Sequence, residues 1–380
     1  MIQHLTQWKE ALPRFGGKDL HEDFRAFSEW YHKGNGISNE QINEVSTFQF
    51  QHVLAVARGN FIAKHGEEIY AGLTSNFGSH IRIEELIYEI ADAYKGLAPT
   101  RSEIEADNQL ALPEKEGYEI SQGLIIGELV ALPKVGKHLM ASMRFPKKES
   151  LERLSDFKQS GFIELETVKL EKKEGVGYLT ISNAKYLNAE DDQLNNDMEL
   201  ATDLVLLDDE IQIGVMRGDR MTHRKYFDKH VFCSGINLTK LYQGKLSYLY
   251  YATRELALMS KLFRGILDES FDWEQRIDHG IEKPWIAAVD THAIGGGAQL
   301  VLVADIVVAD HQSYFTIPAR TEGFIPGFAN FRLQRFIGQG LARKMINYNH
   351  KVLSNSEEGR LLVDEVVKVD EMEEAIERIT

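Results

Sequence analysis

An α/β domain preceded by a mainly helical region is predicted by three observations. Apolar residues recur at helical spacing through roughly the first 165 residues, the period switches to alternation around Val168, and from there helical stretches alternate with short apolar runs. The expected organisation is a helical domain over 1–165 and an α/β domain over 166–380.

In the helical region Ile83, Leu86, Ile87, Ile90 and Tyr94 share one face, and Gly96 follows as a stop. Thr100 and Glu103 have the spacing of a capping box, in which a hydroxyl and a carboxylate satisfy two backbone N–H groups, so another helix starts there. A helix after Pro146 is expected to place Leu151, Leu154 and Phe157 on one face and to end at Gly161. Val168 and Leu170 then alternate with Lys169 and Glu171, Lys173-Glu174-Gly175 makes a turn, and Val176, Tyr178, Leu179 and Ile181 resume the extended pattern, which together read as a hairpin. Helices over 191–207 and 246–267 alternate with strands at 211–216, 285–289 and 305–309, as crossover helices do between parallel strands.

Composition bounds the partners. The 380 residues carry 43 Lys and Arg against 58 Asp and Glu, a net charge of −15 whose field repels phosphate backbones, so nucleic acid is not expected. One cysteine, Cys233, excludes an intramolecular disulfide and points to a reducing compartment; it reads as a small buried hydrophobe. The opening MIQHLTQWKEALPRF has neither a basic and apolar leader nor a long apolar run, so a cytoplasmic protein without a membrane span is expected. Metal-binding HExxH, paired CxxC and EF-hand patterns are absent, as are the GxSxG elbow and a complete phosphate loop around Val135-Gly136-Lys137-His138. Gly295-Gly296-Gly297 is not a dinucleotide fingerprint, because Leu300 stands where a third small residue is needed.

Three segments carry candidate chemistry: Phe232-Cys233-Ser234-Gly235-Ile236-Asn237-Leu238, Ala293-Ile294-Gly295-Gly296-Gly297-Ala298-Gln299-Leu300, and Thr321-Glu322-Gly323-Phe324-Ile325-Pro326-Gly327. A glycine triplet between strand and helix serves either close packing or an anion approaching backbone N–H groups, and an N–H from a second loop would complete an oxyanion hole. Lys283-Pro284-Trp285-Ile286-Ala287-Ala288-Val289, the triplet, Ala304-Asp305-Ile306-Val307-Val308-Ala309 and Glu322-Gly323-Phe324-Ile325-Pro326-Gly327, in this order, resemble the enoyl-CoA hydratase/isomerase (crotonase) superfamily. Asn183 to Ala189 is similar to its first CoA loop and Glu358 to Val367 to its late helix-strand segment, so the likeness runs from about residue 168 to the end. It implies a ββα-repeat spiral core.

The resemblance implies a thioester carbonyl held by the N–H groups of Ile236 and Gly296, with Lys185 to Leu187 and Ser234, Gly235, Asn237 and Leu238 lining the CoA path. Hydratases of the superfamily use two glutamates; here the matching places hold Gln299 and Ala319, neither of which can exchange a carboxyl proton. Within the superfamily the chain more closely resembles the cofactor-independent (3,5-dihydroxyphenyl)acetyl-CoA dioxygenases of glycopeptide antibiotic pathways. Leu187 to Asp191, the Cys233 loop, Arg254-Glu255-Leu256, Gly296 to Leu300 and Glu322 to Asn330 carry that likeness, as does the helical N-terminal region.

This closer likeness implies an arylacetyl-CoA substrate, O2 as co-substrate, no metal or flavin, and a homotrimer or dimer of trimers. Glu190, Gln299 and Arg254 would address ring hydroxyls and the reacting centre, with Leu238, Ile325, Pro326 and Gly327 as walls and His223 near the CoA or the ring. From the residues alone, Glu190 equally serves as a first-turn acid favouring a helix dipole, Arg254 beside Glu255 as a solvated helix face, and His223 as a surface histidine. Relatives continue into C-terminal helices that cover the site beyond the point matching Thr380, so either the chain is truncated there or its N-terminal helices or a neighbouring subunit close the pocket. The alternatives are a superfamily isomerase or thioester hydrolase with Glu190 as base, and a non-catalytic acyl-CoA-binding scaffold.

Overall fold

The computed structural model describes residues 8–15, 19–35, 44–268 and 280–380; the first seven residues of the opening stretch lie outside these. The described chain divides into two compact units.

The first unit runs to Met143 and also takes in Tyr242–Thr253. Its helices include α1 (Leu20–Asn35), α2 (Glu44–Leu73), α3 (Ile83–Ala93), α4 (Arg101–Asp107), α5 (Tyr118–Ala131) and α6 (Pro133–Ser142). The expected face of α3 is buried through Ile83, Leu86, Ile87, Ile90 and Ala91. Both halves of the capping box are formed at the start of α4, Thr100 accepting from Glu103 N–H and Glu103 from Thr100 N–H. Pro133 opens α6, where a missing N–H costs nothing. Aromatic residues supply much of this core: Trp8 and Trp30 stack at 4.2 Å, and each indole N–H donates to the other residue's carbonyl.

The second unit starts at Arg144, ahead of the expected boundary near 165. The reason lies in polar anchoring. Asp203 accepts both the Lys147 N–H and the Ser150 hydroxyl at 2.8 Å, tying the start of α7 (Lys148–Ser160) to α8 (Asp192–Leu207), and β1 (Phe162–Glu164) pairs with β2 (Val168–Lys173). Gly161 ends α7 in the left-handed conformation, as expected. Leu151, expected on the apolar face, is 53% exposed, while Phe157 is buried and Leu154 partly so.

The hairpin is present: β2 pairs antiparallel with β3 (Val176–Ile181). From there β4 (Ile213–Gly218), β5 (Trp285–Val289), β7 (Ile306–Asp310) and β10 (Glu365–Val367) add in parallel, giving the seven-stranded order β1-β2-β3-β4-β5-β7-β10. Both faces are covered, so β5 is buried throughout. Trp285, Ala287 and Val289 pack into the larger core with α8, while Ile286 and Ala288 meet Met372, Ala375 and Ile376 at the start of the last helix, Met372–Ile379. A second sheet joins β6 (His292–Ile294), β8 (Tyr314–Thr316) and β9 (Val352–Leu353). The expected helix over 246–267 is interrupted: Arg254–Leu258 form a π-helical turn ahead of α9 (Met259–Arg264). The glycine triplet leads into α10 (Gly296–Val301), and α11 (Ala329–Tyr348) follows the Phe324–Phe328 loop.

Candidate active site

Every group of the site belongs to the second unit. Two chain segments run side by side to make it. Cys233 and Ala293 form a parallel bridge, with the Ile294 N–H donating to Cys233 O at 3.0 Å; three residues further along each segment stand Ile236 and Gly296. A second bridge joins Ile236 to Glu190 through the Gly235 carbonyl and the Asn237 N–H, both at 2.7 Å, which leaves the Ile236 N–H uncommitted. Gly296 is the first residue of α10, so its N–H has no partner within the helix. Two backbone N–H groups without a protein partner therefore lie at matching positions on adjacent segments.

Glu190 is 3% exposed. It is not the first-turn acid of a helix, because Asp191 is the N-cap of α8, accepting from Gln193 and Leu194 N–H, and Glu190 precedes it in the bridge to Ile236. Its Oε1 accepts from Arg254 Nε at 2.9 Å, while its Oε2 has no hydrogen-bond partner. That free oxygen lies against Gly296, where any Cβ would overlap it. Arg254 is buried rather than solvated: Nη2 donates to Gly296 O at 2.9 Å and Nη1 to Glu255 Oε1 at 2.7 Å. Gln299, in the first turns of α10, is buried with its Oε1 unpartnered. The site thus combines two amide donors, one carboxylate oxygen and one amide oxygen left without protein partners, and a guanidinium that joins Glu190 to the Gly296 carbonyl.

The other expected residues divide into supports, neighbours and outliers. Asn237 is buried; its Nδ2 donates to Asp191 Oδ2 at 3.0 Å, so it supports the Glu190–Asp191 turn. Gly235 takes the left-handed φ of +81° that the tight loop needs. Lys185 is exposed with its ammonium 5.0 Å over the Tyr186 ring, and Leu187 is half-buried at φ +53°. Lys240, which sequence reading missed, lies 5.9 Å over the same ring and 3.0 Å from Asp191 Oδ2; its place three residues after Asn237, whose side chain caps its N–H, was the available signal. Leu238 is half-buried. Ser234 Oγ sits 2.9 Å from Nε2 of His292, a buried histidine at the start of β6 that sequence reading missed. Burial, with Lys225 and Lys351 nearby, pushes the His292 pKa down to about 4.

His223 is exposed, its Nδ1 accepting the Lys225 N–H within its own turn, and no contact joins it to Glu190 or Gln299. Ile325 is 84% exposed, so it is not packed as a wall; its neighbour Pro326 is buried and Gly327 lies against Glu255. Ala319 is buried at the start of the short helix Ala319–Glu322. Cys233 is fully buried, and burial, with the Glu190 charge nearby, raises its thiol pKa well above the usual range. Among the described residues no group of three or more His, Cys, Asp or Glu could hold a metal ion, and no helix is long and apolar enough to cross a membrane.

A family model described as Enoyl-CoA hydratase/isomerase matches residues 171–380. The chain is 44% identical over 325 residues, 85% of its length and 74% of the relative's, to a (3,5-dihydroxyphenyl)acetyl-CoA 1,2-dioxygenase of Amycolatopsis orientalis. It is 30% identical over 221 residues to a crotonyl-CoA hydratase of Syntrophomonas wolfei, covering 56% of this chain and 74% of that one. Among solved structures, an enoyl-CoA hydratase of Mycobacterium smegmatis is similar at 21% identity and a TM-score of 0.46, over 57% of this chain and 75% of the other.

Proposed function

The chain belongs to the enoyl-CoA hydratase/isomerase family, and on that premise we propose that this enzyme is a cofactor-independent dioxygenase of an arylacetyl-CoA thioester, of the 3,5-dihydroxyphenylacetyl type. The observation that supports it most is the pairing of uncommitted N–H groups at Ile236 and Gly296 with a buried neutral amide, Gln299, in place of an acid. The donors stabilise an enolate, and the amide adds no negative charge beside it.

The chemistry balances without a further reductant. Loss of one α proton gives the enolate, whose electrons reduce O2 and form a bond between the α carbon and oxygen. The distal peroxide oxygen attacks the thioester carbonyl and the C–S bond breaks, releasing CoA thiolate. O–O cleavage with loss of the second α hydrogen leaves an arylglyoxylate that holds both oxygen atoms. Glu190 and Arg254 orient the ring and the reacting centre, and Lys185 and Lys240 beside Tyr186 take the CoA. The protein works as a homotrimer or dimer of trimers.

A second reading, an isomerase with Glu190 as base, is favoured by the unpartnered Glu190 Oε2 beside Gly296. Oxygen uptake, free thiol and α-proton exchange in deuterated solvent, measured on a panel of arylacetyl-CoA esters, separate the two. For the dioxygenase, Gln299→Glu places charge beside the developing anion and costs on the order of a few kcal/mol of transition-state stabilisation, whereas Glu190→Gln chiefly weakens substrate recognition. Full oxygen uptake in Gln299→Glu together with complete loss of exchange in Glu190→Gln would transfer the assignment to the isomerase.

A further inference from the structure

Arg254 and Glu255 are adjacent in sequence yet serve one network. They open the π-helical turn Arg254–Leu258, a rare conformation that occurs mostly at functional sites. Arg254 Nη1 meets Glu255 Oε1 at 2.7 Å, while the rest of the guanidinium holds Glu190 and the Gly296 carbonyl. The other Glu255 oxygen, Oε2, accepts the Phe328 N–H at 3.1 Å. Gly327, at φ +25°, sits so near that a Cβ there would come within 2.5–2.7 Å of the Glu255 carboxylate. The loop's own backbone bonds, Gly327 N–H to Ile325 O and Ala329 N–H to Pro326 O, set its local shape. Glu255 joins that shape to the site.

We propose that Glu255 is a positioning residue for acyl recognition: by clamping Gly327 and Phe328 to Arg254, it sets the distance between the Phe324–Phe328 loop and the α10 N-terminus, and with it the acyl group accepted. The inference rests on the acyl-CoA reading given above. Gly327 is its complement, a residue that must lack a side chain for the carboxylate to reach the loop.

The experiment compares, by calorimetry, the affinities of free CoA and of an unreactive arylacetyl-CoA thioether. Glu255→Ala and Gly327→Ala are each expected to lower the thioether-to-CoA affinity ratio about tenfold while leaving CoA binding unchanged. Glu255→Gln, whose single amide oxygen can accept from the Phe328 N–H or from Arg254 Nη1 but not from both, is expected to fall between Glu255→Ala and the wild type. An unchanged ratio in both alanine variants overturns the proposal, and so does an equal loss of both ligands accompanied by a lower melting temperature. Should Glu255→Ala not fold, Glu255→Asp, which keeps the charge but shortens the reach, carries the test: a ratio below that of the wild type supports the clamp, and an unchanged one overturns it. A wild type that binds both ligands equally removes this proposal and the acyl-CoA reading together. A wild type with the expected ratio but no oxygen uptake removes only the dioxygenase step.

Discussion

One cation between two carboxylates occurs twice along the same pair of segments, and only one of the two clusters is closed. Within α8 and α9, Lys261 Nζ lies 2.7 Å from Glu199 Oε1 and 2.7 Å from Asp203 Oδ1, all three essentially without exposure. The Asp203 contact is an ion pair, and the other Asp203 oxygen takes the Lys147 N–H and the Ser150 hydroxyl. Burial raises the Asp203 pKa and Lys261 opposes that rise. Just before each of these helices, Glu190, Arg254 and Glu255 repeat the charge pattern but leave Glu190 Oε2 without a partner beside a glycine. Buried acceptors are normally satisfied, and the open one beside Gly296 is where the proposed substrate would complete the set. The closed cluster holds the helices together; the open one is available for chemistry.

Three measurements of stability break or sharpen that contrast. The largest effect is expected for Lys261→Met, which leaves two buried carboxylates without their cation and should cost about 3–5 kcal/mol in urea unfolding. Adding Glu199→Gln and Asp203→Asn to it should recover most of the loss; a triple variant no more stable than the single one would show that packing, not charge, sets the cost.

Acid comes next. The folded-state pKa of His292 is about 4, below the ordinary value of 6.5, so the unfolded chain binds more protons between those two values. Its contribution is complete above pH 6.5 and is lost as pH falls through that window, on the order of 3 kcal/mol by its lower end. His138 in the first unit, also pushed down to about 4 by burial, acts in the same direction. His292→Gln should flatten the fall in unfolding free energy between pH 6.5 and 4.5; an unaltered slope would assign the acid sensitivity elsewhere.

The smallest shift is expected for Glu190→Gln. Its amide oxygen can still accept from Arg254 and the altered oxygen has no bond to lose, so stability should change by less than about 1 kcal/mol while acyl-CoA affinity or proton exchange falls. A loss as large as that of Lys261→Met would erase the distinction between the two clusters.

Much of this was written locally. The capping box at Thr100, the left-handed stop at Gly161, the hairpin turn at Lys173-Glu174-Gly175 and strand β5 follow from neighbouring residues, because capping, glycine conformation and alternation act over a few positions. The glycine triplet was also legible as a candidate anion site, since backbone N–H groups at a helix start need no particular side chain, while the Ile236 N–H was marked as a donor only by the family resemblance. Side-chain surroundings were not. Leu151 has helical spacing like Phe157, yet only Phe157 meets a neighbouring surface, and nothing in the spacing of 148–160 says which.

The sequence by itself therefore determined the class of fold, the hairpin and the parallel strands, all properties of short-range geometry and period, whereas Ile236 and Gly296 as donors followed only from the family resemblance. Only the tertiary structure decided that Glu190 bridges to Ile236 instead of joining the first turn of α8, that a π-helical turn buries Arg254 against Glu190, and that Ile325 faces away while Gly327 meets Glu255. Each of these depends on desolvation and hydrogen bonding between groups far apart in the chain, Glu190 and Arg254 being 64 residues apart, and a charged side chain reads the same in sequence whether water or a buried partner surrounds it.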